Sequence, residues 1–161
     1  MLFRSAPPPW YEQTLWRWYD CPGYALNLLH CPTVAYSGEI DRQKQAADVM
    51  AAAMKEQGME LTHVLGPETA HSYQPQAKIE INRRIDAVVR RGRETTPRRV
   101  RFATYTLRYP ECHWVRLEGL QQHWRQATVD AEIVDARTVR LTTANVSKLR
   151  LSMPSGACRS E

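Results

Sequence analysis

Asp41 and His71 are the side chains of this 161-residue sequence whose types and placement suit acid–base chemistry. Each follows a short apolar run that ends at a glycine. Asp41 lies three residues after Gly38, and His71 lies five residues after Gly66. In an open parallel α/β sheet, functional residues gather just past the carboxyl ends of strands, and strands consecutive in sequence are often neighbours. A carboxylate brought beside an imidazole there orients the ring and stabilises its charged form. The imidazole is then free to act as general base toward a nucleophile. Plainer roles compete for both residues. Asp is a favoured helix N-cap, and Asp41 stands directly before a helical pattern. A lone loop histidine is more often a surface residue than a catalytic one. The other histidines are weaker candidates: His63 falls within a strand pattern, and His30, His113 and His123 have no acidic partner at an informative spacing.

The elements that must position this pair are legible in outline. Residues 33–38 follow Pro32 and read as a short buried strand. Over residues 42–57 the pattern is helical, with Ala46, Ala47, Met50, Ala53 and Met54 on one stripe and Gly58 where a terminator belongs. Residues 61–65 predict a second strand ended by Gly66-Pro67. Strand, helix and strand within about 35 residues have the dimensions of a βαβ crossover, which implies parallel strands. Residues 76–93 are helical again, with Ile79, Ile81, Ile85, Val88 and Val89 as apolar positions, and Gly92 and Pro97 mark the end. Upstream, Trp10, Thr14, Leu15 and Trp18 fall close to one helical face. Asp20-Cys-Pro-Gly23 reads as a break before a second helical piece over 24–29.

Beyond Pro97 the texture changes. Residues 100–109, 113–117, 127–134, 138–143 and 146–151 read as short strands, with Asp135-Ala-Arg137 as a turn. Close spacing of such strands predicts an antiparallel all-β module. The expected domains are therefore 1–96, α/β, and 97–161, a β-rich module whose closing strands are not evident. The fold class is α/β, the last βαβα portion of a parallel sheet, followed by the small antiparallel module.

Composition bounds the function classes. Apolar residues make up 43% and charged residues 24%, the balance of a globular chain. No apolar run reaches the roughly 20 residues of a membrane span, and the N-terminal residues show no apolar core of a signal peptide. The net charge of +5 is local. Between Lys78 and Arg101 there are nine basic and three acidic residues, a balance of +6, whereas the remainder carries −1. No aromatic residue interrupts that window for stacking on bases, so nucleic acid is not the expected partner. A non-catalytic anion- or nucleic-acid-binding module remains the alternative reading. Cys21, Cys31, Cys112 and Cys158 form no C-x-x-C pair and no Cys/His spacing of the zinc type, so neither metal nor other cofactor is expected.

Pro32-Thr-Val-Ala-Tyr-Ser-Gly-Glu-Ile-Asp41, Ala46-Ala47-Asp48 and Gly66-Pro-Glu-Thr-Ala-His71 together resemble the end of an α/β-hydrolase catalytic domain of the prolyl-oligopeptidase type. The continuation through Arg99-Val-Arg-Phe-Ala-Thr-Tyr-Thr-Leu-Arg-Tyr109 to His113-Trp114 is similar to large bacterial members with a β-rich C-terminal module. The resemblance spans roughly residues 10–155. It implies that Asp41 and His71 are the acid and base of a Ser-Asp-His triad acting on a peptide or ester substrate. The family nucleophile sits in a G-x-S-x-G elbow. None of Ser5, Ser37, Ser72, Ser147, Ser152, Ser155 or Ser160 lies in that pattern. The expectation is a C-terminal portion of a serine hydrolase, with its nucleophile upstream of Met1 and little hydrolysis by these residues alone. The proline-rich start and the ending Ser-Gly-Ala-Cys-Arg-Ser-Glu161 read as cut ends.

Overall fold

The computed structural model describes residues 7–153, which form a mixed helix and sheet fold with one small parallel sheet and two antiparallel ones. Ser5, Ser155, Ser160 and Cys158 lie outside the described residues. The parallel pair is β1 (Val34–Gly38) and β2 (Thr62–Gly66), in register from Val34 opposite Thr62 to Gly38 opposite Gly66. Between them runs α2 (Gln45–Glu56), and after β2 comes α3 (Pro75–Arg91). Gly58 ends α2 at φ +73°, with Met59 N–H donating to Met54 O and Gly58 N–H to Lys55 O. Those two bonds satisfy the last carbonyls of the helix, and the positive φ favours glycine there. At the start of α3, Pro75 occupies the first turn, and the Gln74 side chain accepts the Ala77 N–H at 2.6 Å.

Burial in this half is sparse. Met54 of α2 and Ala77 and Ile81 of α3 are buried, but Ile79, Ile85 and Val89 of α3 are exposed. Of the five apolar positions expected on that helix, one is buried and Val88 is half-buried. A two-stranded sheet is too narrow to cover the rest.

The aromatic stretch near the N-terminus departs from the expected single helical face. α1 (Trp10–Leu15) lasts six residues and passes into a 3₁₀ turn, Trp16–Trp18. A second 3₁₀ segment, Cys21–His30, contains the expected helical piece over 24–29. It packs against α2 on one side and β3 (Arg99–Thr104) on the other. Asn27 grips the β3 backbone, donating to Ala103 O at 3.0 Å and accepting Ala103 N–H at 2.7 Å. His30 Nε2 accepts Arg101 N–H at 3.2 Å, and the Arg101 guanidinium donates to Gln57 O at 2.8 Å. Trp18 meets Tyr109 and Trp124 edge-on.

The β module consists of two three-stranded antiparallel sheets. One has the order β3, β6 (Ala127–Ile133), β7 (Val139–Ala144); the other has β4 (Glu111–Cys112), β5 (Val115–Leu120), β8 (Val146–Leu151). Alternation along β6 works as expected: Ala127, Val129 and Ala131 are buried, while Asp130 of the opposite face binds Arg99 through two hydrogen bonds. With Val100, Phe102, Trp114, Val115 and Leu117 they form one continuous core shared by both sheets. The expected strand over 100–109 stops at Thr104, whose hydroxyl donates to Thr106 O and folds the chain back. The strand expected from His113 starts at Val115, because His113 and Trp114 form the turn between β4 and β5.

Candidate functional site

Asp41 and His71, 30 residues apart in sequence, meet at the carboxyl ends of β1 and β2. His71 Nδ1 lies 2.9 Å from Asp41 Oδ2. An ionised carboxylate can only accept, so Nδ1 carries the proton and donates it. The other Asp41 oxygen accepts Gln43 N–H at 2.8 Å. Asp41 is thus not the N-cap of α2, which begins at Gln45; its carboxylate closes a local turn and holds the imidazole at once. The Gln43 N–H first, and the His71 ring second, hold the Asp41 carboxyl below the ordinary carboxylate range. The Asp41 side chain is 11% exposed and the His71 side chain 75%. The ring therefore presents Nε2 to solvent, with no hydrogen-bond partner among the described residues.

Gly38 and Gly66, which end the two predicted strands, build this geometry together with Glu39 and Tyr36. A Cβ on Gly38 would collide with the carbonyl oxygens of Thr69 and Ala70, so glycine lets the loop bearing His71 lie against the end of β1. Ile40 N–H then donates to Thr69 O, and Glu39 N–H to Gly66 O. The Glu39 carboxylate accepts Glu68 N–H at 2.9 Å, tying the two loops a third time. Tyr36 fixes the far side of the loop. Its hydroxyl donates to Ser72 O at 2.8 Å and accepts Gln74 N–H at 3.0 Å, and its ring stacks on Tyr73. Gly66 leaves room for that hydroxyl. The signal for these roles was present as two glycines in equivalent places at the ends of paired strands.

Ser37 also meets a histidine. His63 Nε2 lies 3.0 Å from Ser37 Oγ, but Ser37 is 5% exposed and sits within the parallel sheet. That burial makes the pair a packed hydrogen bond with no access for a substrate.

Part of the basic window is engaged in local structure. Arg83 and Arg84 both bind Glu80, whose carboxyl is held down to about 2, chiefly by Arg83. Arg98 donates to Ile133 O and Val134 O, and Arg99 binds Asp130.

A second cluster was not evident from spacing. His30, Cys112 and His113 come together where the 3₁₀ segment meets the β4–β5 turn, and their donor atoms lie within 4.8 Å of one another. Burial pushes the Cys112 thiol up to about 11, and burial together with the neighbouring His113 lowers the His30 pKa. His30 and the β4–β5 turn are more than 80 positions apart, so local Cys/His spacing carries no trace of them.

Among the described residues no helix is long and apolar enough to cross a membrane. Comparison with family models, curated proteins and solved structures returns no match.

Proposed function

We propose that this chain supplies the Asp and His of the Ser-Asp-His triad of a serine hydrolase of the prolyl-oligopeptidase type, acting on peptide or ester bonds. The observation that carries the reading is the 2.9 Å His71–Asp41 hydrogen bond beyond the ends of two parallel strands, with the opposite edge of the imidazole open. His71 Nε2 is the general base toward a serine hydroxyl and then returns the proton to the leaving group. Asp41 holds the ring in the tautomer that exposes Nε2 and stabilises the imidazolium as it forms. The nucleophile and the oxyanion hole come from a part of the hydrolase outside these 161 residues, since no serine here lies in a G-x-S-x-G elbow. The exposed Ile79, Ile85 and Val89 support this, because a wider sheet would give α3 a surface to cover. The fold of the first half is on this reading the end of an α/β-hydrolase sheet; the alternative is an anion- or nucleic-acid-binding module on the Lys78–Arg101 segment.

The test expresses the chain together with the coding sequence upstream of Met1 and measures ester and peptide turnover. His71→Ala should lower kcat by about 10³–10⁴-fold or more, with little change in KM. Normal turnover by that variant would refute the assignment. The 161-residue chain by itself should not be labelled by an active-site serine probe.

A further inference from the structure

We propose that His30, Cys112 and His113 form a binding site for a divalent cation of the zinc class, independent of the Asp41–His71 pair. Two imidazoles and a thiol are the ligands such borderline-soft ions prefer. Their donor atoms lie within 4.8 Å of one another, close enough for one ion to reach all three after small side-chain rotations. The scaffold presents two of them on a tight turn. Cys112 pairs with Val115 across the β4–β5 ladder, leaving His113 and Trp114 as the connection. His113 adopts φ +52°, a conformation that non-glycine residues seldom take and that needs support from its surroundings. That support comes from Trp114, which is buried and donates its indole N–H to Pro97 O at 2.8 Å. His30 arrives from the other direction, with its ring 4.7 Å from that of His113.

His30 and His113 line an open cavity of about 760 Å³, so an ion can enter and a fourth position can hold water. Two features of the site oppose binding and set its strength. His30 already uses its Nε2 lone pair to accept Arg101 N–H, and an ion must displace that long 3.2 Å bond or turn the ring. Arg91 and Arg93 share the cavity with Glu94, so a cation meets a net positive surround there. The ion must also displace the proton of the buried Cys112 thiol, and the thiolate so formed offsets one charge. The result is a site weaker than a four-ligand structural zinc centre, which ties the 3₁₀ segment to the β module.

Titration of the full 161-residue chain with Co(II) tests this. A single equivalent should produce the near-ultraviolet thiolate-to-cobalt charge-transfer band, and Zn(II) should abolish it by competition. Cys112→Ser should remove the band. His113→Asn, which tolerates the positive φ, and His30→Gln, which can still accept Arg101 N–H, should each weaken binding by roughly tenfold or more. Cys31 also lines the cavity, so Cys31→Ser is the control and should leave the band unchanged. Absence of a band from the wild-type chain would overturn the proposal without recourse to any variant. So would a band that survives Cys112→Ser or vanishes with Cys31→Ser.

Discussion

In the β module, Val100, Val115, Ala127, Val129 and Ala131 are each no more than 1% exposed, whereas on α3 Ile79 and Val89 are 68% and 70% exposed. Both regions carry apolar side chains at spacings proper to their elements. The difference lies in what faces them. Two three-stranded sheets close on each other and exclude water from a shared core, while two parallel strands offer α2 and α3 a surface only two chains wide. Amphipathic periodicity shows which residues would go inside if a cover existed, not that one does. The site geometry follows the same division. The Asp41–His71 pair is held by backbone and side-chain hydrogen bonds of two loops, not by a deep core beneath it.

The sharpest way to break this contrast is a pair of truncations. Leu117→Ala in the β core should lose about 2–5 kcal/mol of stability, and Ile79→Ala on the exposed face of α3 less than about 0.5 kcal/mol. Urea denaturation of both variants distinguishes them; comparable losses would mean that α3 is covered in solution. Gly38→Ala should have an intermediate effect, roughly 1–3 kcal/mol, because a methyl group there forces the Thr69–Ala70 backbone away. Its more specific signature is loss of the low-field His71 Nδ1–H proton resonance. Retention of that resonance would show that Gly38 does not position the pair.

The smallest effect concerns pH. Asp41 has a native pKa below its ordinary value of 3.8, so its contribution to stability is complete above that value and is lost as pH falls through the lower native one. In His71→Ala the carboxyl should titrate closer to 3.8 but stay below it, since the Gln43 N–H is the larger cause and remains. Carboxyl-carbon NMR across the acid range reads both values. A wild-type Asp41 titrating at or above 3.8 would contradict the geometry described.

How much of this was legible depends on the range of the interaction. β1, α2 and β2 were readable because each is a local pattern bounded by glycine, and Asp41 and His71 were readable because loops after neighbouring parallel strands converge. The helix N-cap role that competed for Asp41 is not taken up, because an aspartate has the same local preference for closing a turn, and α2 begins only at Gln45. The early end of α1 and the packing of Trp18 were not legible, since half-buried Trp18 meets Tyr109 and Trp124, some 90 or more positions away. The gathering of His30 with Cys112 and His113 was invisible for the same reason.

The grip of Asn27 and His30 on Ala103 and Arg101 has a consequence beyond holding two regions together. β3 is the outermost strand of its sheet, and its outward amides and carbonyls would otherwise template pairing with another molecule. A side-chain amide that mimics a peptide group, followed by an imidazole, occupies those positions without extending the ladder. The segment at Cys21–His30, some 70 positions upstream, therefore covers part of the edge that a further strand would need.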